Sequence, residues 1–294
     1  MTPNMNGALL MMGSMAAFTI NDTIIKSVGQ DVPLFQLVAM RGFLATILVF
    51  VLARHLGALH LRFPPHDRWL VLARCLAELA ATFFFLTALM HMPLANVTAV
   101  LQALPLTVTM GAALFFGESV GWRRTLAIAV GFVGMLLIVR PGPDGFSIYS
   151  IYALIAVASV TTRDLITKRM SAQVPSMVVT LATSLAVTVS FGVASAVEGW
   201  VPVTPTSGAL IATAALFVLL GYLCSVMVMR VGEVGFVAPF RYTSLIWALV
   251  LGWFVFGDWP DALTMTGAAL IVGAGLFTLF RQKLRESSEN AART

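Results

Sequence analysis

From Asn6 to Phe280 the chain is a succession of apolar runs, each roughly 17–23 residues long and separated by short polar connections. A helix needs roughly 20 such residues to cross the hydrocarbon core of a bilayer, so each run is long enough to span it. Ten spans are predicted, near residues 6–25, 34–53, 69–90, 95–116, 122–139, 147–167, 175–196, 208–229, 235–256 and 262–280. Residues are 59% hydrophobic and 11% charged, whereas a soluble domain carries about 25% charged residues. So much apolar surface cannot be hidden from water in a chain of 294 residues, and the solvent must be lipid. The fold class read from this pattern is an all-α polytopic membrane protein with ten transmembrane helices.

The net charge of +5 could suggest a nucleic-acid partner, but the distribution of the charges argues otherwise. With a cytoplasmic N-terminus, the inside segments would hold Arg54, Arg62, Arg68, Arg123, Arg124, Lys168, Arg169, Arg230, Arg281, Lys283, Arg285 and Arg293. The outside segments would hold only Lys26 and Arg140. By the positive-inside rule both termini are expected in the cytoplasm, and the basic balance is topology, with no nucleic acid as partner. The first apolar run lacks a basic leader and a small-residue cleavage site, so it is expected to be a retained helix. Cys75 and Cys224 fall inside spans and imply no disulfide framework.

The two halves of the chain resemble each other. At an offset of 142 residues Asp22 falls on Asp164, Lys26 on Lys168, and Val32-Pro33 on Val174-Pro175. Near the same offset, Phe115-Phe116-Gly117-Glu118 falls on Val255-Phe256-Gly257-Asp258, and the small pair Ala127/Gly131 on Ala269/Gly273. The expected division is residues 1–140 and 141–294, five helices in each. Five is odd, so the second copy enters the membrane inverted with respect to the first. Inverted repeats recur in secondary transporters because one sequence pattern then supplies two similar gates, one at each face.

Several local motifs add to this. They are Arg41 in the second span, Arg74 opening the third, Met92-Pro93-Leu94-Ala95 at the turn into the fourth, Leu104-Pro105-Leu106 within it and Gly117-Glu118 after it. In the second half they are Pro239-Phe240-Arg241-Tyr242 and Phe256-Gly257-Asp258. On these residues the chain resembles the drug/metabolite transporter superfamily, in its ten-helix EamA-type branch, over essentially its whole length. It departs from the pattern in two places: Leu245 stands at the position matching Pro105, with Pro239 supplying the break, and the second acidic cap is Asp258 rather than Glu. The resemblance implies a carrier of a small metabolite in the bacterial inner membrane, with amino acids, nucleotide-type and vitamin-type compounds and drugs among the substrates of such proteins.

Ionisable residues inside a membrane span are costly and usually face a cavity or a partner. Asp22, Glu78 and Asp164 are such acids, and Arg41, Arg74, Arg163 and Arg241 such bases. Asp22/Lys26 and Asp164/Lys168 are i,i+4 pairs with the acid first, the better orientation on a helix. They are expected near opposite faces, either as gate elements or as interfacial pairs finishing their helices. Glu78 either pairs with Arg74 one turn away or takes up a coupling proton. Pro105 and Pro239 break the fourth and ninth spans, and broken helices at corresponding places point to a binding site. Gln102, Arg241, Tyr242, Thr243 and Trp247 are therefore candidate substrate contacts, with packing as the alternative for the two aromatic rings. The small pairs Ala127/Gly131 and Ala269/Gly273 suit close helix packing or a homodimer.

The chain carries no GxxxxGK[ST], so no ATP-driven motor is expected, and no HExxH or GxSxG that would suggest an intramembrane enzyme. His55, His60 and His66 lack metal-ligand spacing, and neither a metal nor a cofactor is expected. Gln and Arg donors beside aromatic rings would suit a heteroaromatic solute such as riboflavin, or an amino acid or its derivative, either imported or exported.

Overall fold

Proline and glycine set where the spans reverse. Pro33 and Pro175, one repeat apart, stand immediately before helices that begin at Leu34 and Ser176, and Pro93 stops the third helix by withholding an N–H. Gly117 (φ 67°) and Gly257 (φ 71°) end the fourth and ninth helices in the left-handed conformation that a side chain disfavours. A computed structural model describes residues 3–55, 64–117, 121–140, 147–171, 174–231 and 234–291; Arg62, Glu118 and Arg293 lie outside them.

The helices are α1 (Pro3–Val28), α2 (Leu34–His55), α3 (Pro65–His91), α4 (Leu94–Leu101 and Leu104–Phe116), α5 (Trp122–Val139), α6 (Ile148–Arg169), α7 (Ser176–Glu198), α8 (Pro205–Val231), α9 and α10 (Ala262–Ala291). α9 is composite: Val234–Val237, a 3₁₀ turn Ala238–Tyr242, Thr243–Leu251 and a π-helical end Gly252–Phe256. Among the described residues nine helices are long and apolar enough to cross a membrane. In α5 the described apolar stretch is Thr125–Val139.

Both proline breaks are present. In α4 the ladder is interrupted at Gln102–Ala103, where the Ala103 N–H turns to Val100 O at 3.1 Å and Pro105 sits in the first turn of the second piece. In α9 Pro239 lies in the 3₁₀ turn.

The helices pair in a pattern that survives exchange of the halves. α1 lies on α8 as α6 lies on α3; α2 lies on α7, α5 on α10, and α4 on α9. A residue that touches its own repeat counterpart must lie on the axis relating the halves. The Thr46 and Thr188 hydroxyls meet at 3.1 Å, and the Gln102 amide donates to the Ser244 hydroxyl at 2.6 Å, each pair 142 residues apart. The axis therefore threads the α2/α7 and α4/α9 crossings, as two inverted repeats require. The expected division after residue 140 adjoins residues 141–146, which lie outside the described residues.

The surface is apolar where a soluble protein's would be polar. Val197, Phe254 and Leu114 are exposed at 84%, 73% and 72%, whereas Ser14, Asn21, Gln36 and Thr183 are buried. In lipid this is the stable arrangement, because polar groups must find partners inside the bundle. Main chain meets main chain where α5 crosses α10, at Gly134 and Gly267. A Cβ on Gly134 would lie 2.6 Å from Gly267 O, and one on Gly267 2.5 Å from Gly134 O. The small pair Ala269/Gly273 faces outward instead, with nothing within 4 Å of a Gly273 Cβ.

Gly134→Ala and Gly267→Ala are each expected to lower the melting temperature of the purified protein, by an overpacking cost of about 1–3 kcal/mol. Gly273→Ala should leave it unchanged or slightly raised. A common shift for all three, read by thermal denaturation in detergent, would sink the close-crossing account.

Candidate functional site

A carboxylate deep in a span must find cations, and Glu78 of α3 finds two. Arg163 of α6 places Nη1 3.3 Å from both Glu78 oxygens, and Arg74, one turn earlier on α3, approaches to 3.8 Å. The expected Arg74–Glu78 pair is therefore the weaker half of a cross-repeat triad. Arg163 also grips Asp164, with Nε at 2.9 Å and Nη2 at 2.8 Å. Arg74 Nε donates to the Thr167 hydroxyl at 2.9 Å, a second tie between α3 and α6.

The counterpart of Arg163 in the first half is Asn21 on α1, and it organises the other side. Its amide donates to Asp22 at 2.9 Å, while its carbonyl accepts from Arg41 Nη1 of α2 at 3.3 Å. That one bond leaves most of the Arg41 donors free. Arg41, Glu78, Thr82, Thr183, Ser184 and Tyr222 line a cavity of about 90 Å³ bounded by α2, α3, α7 and α8. It lies beside the Thr46/Thr188 contact, on the axis between the halves.

The expected Asp22/Lys26 pair does not form. Lys26 Nζ donates to the backbone carbonyls of Leu89, at 3.0 Å, and Met92. The reason is Pro93: without its N–H, Leu89 O has no helical donor, and a cation at the negative end of α3 supplies one. The Lys26 ammonium also sits 5.3 Å from the centre of the Phe256 ring. One repeat away, Lys168 lies 5.5 Å from the Phe116 ring.

The residues expected around the α4 and α9 breaks stand in different surroundings. Gln102 reaches across to Ser244 and Tyr242 O, so α4 and α9 touch there. Tyr242 is buried with its hydroxyl against Gly275 of α10. The Thr243 hydroxyl caps Phe240 O at 2.6 Å, while Arg241 and Trp247 are exposed. Asn21, Tyr222 and the α7 hydroxyls Thr180, Thr183 and Ser184 were not anticipated. The i, i+3, i+4 spacing of those hydroxyls marks one helical face and is the sequence signal that could have found them.

Beyond the spans, Arg140 at the end of α5 bonds Asp261, just before α10. This hydrogen bond, with that of the Thr264 N–H, holds the Asp261 carboxyl down to about 2. The bridge stays charged throughout neutral and mildly acidic conditions and is lost only as pH falls toward that value.

Two inverted five-helix halves around an axial polar cavity have a counterpart in known sequences. The profile of the EamA-like transporter family matches residues 5–140 and again 147–280. The chain belongs to the EamA-like transporter family. It is 27% identical to the S-adenosylmethionine uptake transporter of Rickettsia prowazekii, with 97% of this chain and 96% of that protein aligned. It is 26% identical to the pseudopaline exporter CntI of Pseudomonas aeruginosa PAO1 (92% and 94%) and 25% identical to the riboflavin transporter of Vibrio cholerae (98% and 98%). A crystal structure with 20% identity superposes with a TM-score of 0.65 over 96% of this chain and 99% of that one, which shows the shared fold. This EamA-family chain is thus a multi-pass membrane transporter of a small molecule.

Arg163→Gln is expected to destabilise the protein by about 1–3 kcal/mol, because it strips the closer cation from a largely buried carboxylate. Arg74→Gln, removing the more distant one, should cost less. Equal melting temperatures for the two variants would show that the triad does not hold α3 to α6.

Proposed function

We propose that the chain is a secondary transporter working by alternating access, and that its cargo is a small amphipathic metabolite bearing a carboxylate, held by Arg41. The underused guanidinium carries this reading: Arg41 lines the axial cavity with one hydrogen bond made, to Asn21. A planar fork of donors suits a carboxylate. The hydroxyls of Thr183 and Ser184 on the facing helix suit the polar remainder of such a molecule. Small-molecule sites usually measure about 300–1,000 Å³, so a 90 Å³ cavity supports a contracted conformation that widens to admit cargo. Among the described residues a single aromatic ring, Tyr222, lines it, which favours a compact carboxylate over a flat three-ring vitamin. The positive-inside distribution supports cytoplasmic termini in a bacterial inner membrane. We assign a coupling proton to Asp22, since Glu78 is directly paired with two guanidinium groups, whereas Asp22 bonds a neutral amide and has Arg41 only within electrostatic reach.

Purified protein in proteoliposomes, offered labelled amino acids, S-adenosylmethionine and riboflavin, tests the cargo. A carboxylate-bearing solute should be moved, and Arg41→Gln should raise its KM by about ten- to a hundredfold, the value of a charge-assisted hydrogen bond. Unchanged KM in Arg41→Gln, with the fold intact, would remove Arg41 from the site. Flux by Asp22→Asn is expected to ignore an imposed pH gradient that drives the parent protein; a retained response would place the proton elsewhere.

A further inference from the structure

The two lysine–phenylalanine contacts are repeat counterparts. Lys26 ends α1 in the first half and meets Phe256 at the end of α9 in the second. Lys168 lies in the last turn of α6 in the second half and meets Phe116 at the end of α4 in the first, a ring it shares with Arg169 at 5.1 Å. Each contact thus crosses between the halves. Because the chain reverses at every span, the ends of α1 and α9 lie at one membrane face and the ends of α4 and α6 at the other.

Each ring is fixed by the backbone that follows it. Phe256 and Phe116 both immediately precede a glycine in the left-handed conformation, Gly257 and Gly117. The turn after Phe256 also brings Asp258 within electrostatic reach of Lys26. The lysine therefore sits among a ring face, a carboxylate, the Leu89 carbonyl that Pro93 leaves without a helical donor, and the Met92 carbonyl just beyond the helix. A cation on an aromatic face in a region of low water content is held more firmly than at an exposed surface.

We propose that Lys26–Phe256 and Lys168–Phe116 are a matched pair of latches, one for each membrane face, and that each face opens only when its own lysine leaves its ring. In this structure both are closed, which fits the small volume of the axial cavity. The proposal rests on the alternating-access reading and adds to it the residues that hold each gate. It also accounts for the repeated phenylalanine–glycine pair that closes α4 and α9, which presents a ring to the lysine of the opposite half.

The test uses a reporter in the axial cavity. Cys75 and Cys224 are replaced by serine, Ala45→Cys is introduced, and a membrane-impermeant thiol reagent is applied to right-side-out and inside-out vesicles. Lys26→Met should raise the labelling rate from the face of α1 and α9, relative to the opposite face, by about fivefold or more. Lys168→Met, made together with Arg169→Gln so that no cation remains on the Phe116 ring, should shift the same ratio the other way. Phe256→Leu and Phe116→Leu, which keep the charges and an apolar side chain, should give the same opposed shifts at about two- to fivefold. This pair decides the matter if the lysine variants fail to fold. Shifts in one direction for both members of a pair, or none, overturn the latches while leaving alternating access intact. A reporter in the parent protein that labels from neither face overturns the cavity reading and the latches with it.

Discussion

A carboxylate inside a bilayer is tolerable only with its counter-charge in place, and Glu78 takes its closest one from the other half of the chain. Arg163 reaches from α6 to α3, 85 residues away, and holds Asp164 with the same guanidinium. Breaking such a contact strands a charge in a medium that cannot solvate it. The interface between the repeats is therefore held by directional electrostatics as well as by packing, and it is the surface along which an alternating-access protein must rearrange. The Arg41–Asn21–Asp22 chain occupies the corresponding place in the other half with one cation fewer. That difference leaves a guanidinium facing the axial cavity.

The spans, their number and the inverted duplication were legible in the sequence because each follows from a one-dimensional pattern: run length in lipid, parity of helices, and residues recurring at a fixed offset. The proline breaks were legible for the same reason, since a missing N–H acts locally. What could not be read was which face of each helix met which neighbour. The broken helices α4 and α9 suggested a cavity between them; Gln102 and Ser244 join them at one point, and a polar cavity lies along the axis toward α2 and α7. Spacing along one helix suggested Asp22/Lys26, but Lys26 answers to the Leu89 carbonyl, which lost its donor to Pro93, and to the Met92 carbonyl beyond the end of α3. A side chain's best partner in lipid is the group with the greatest unmet need, and that need is set by another part of the chain.

The same contrast holds for the small residues. Ala127/Gly131 and Ala269/Gly273 match across the repeat and have the spacing of a packing motif, but only the first packs: a Gly131 Cβ would collide with Leu106, whereas a Gly273 Cβ would meet nothing. The contact that matters is between Gly134 and Gly267, which occupy different positions in their repeats. Helix crossings are set by the angle at which two cylinders meet, and an angle leaves no trace in the spacing of either helix alone.

At that crossing each glycine meets the other's carbonyl oxygen, so main chain rests on main chain with no side chain between. Side chains can change rotamer and cushion a sliding contact; main-chain atoms cannot. The α5/α10 pair is thus a stiff seam at one end of the axis, whereas the α2/α7 end is joined by hydroxyls that can exchange partners among Thr46, Ser184 and Thr188. The end that carries Arg41 is thus the one whose contacts can be remade without forcing main chain past main chain.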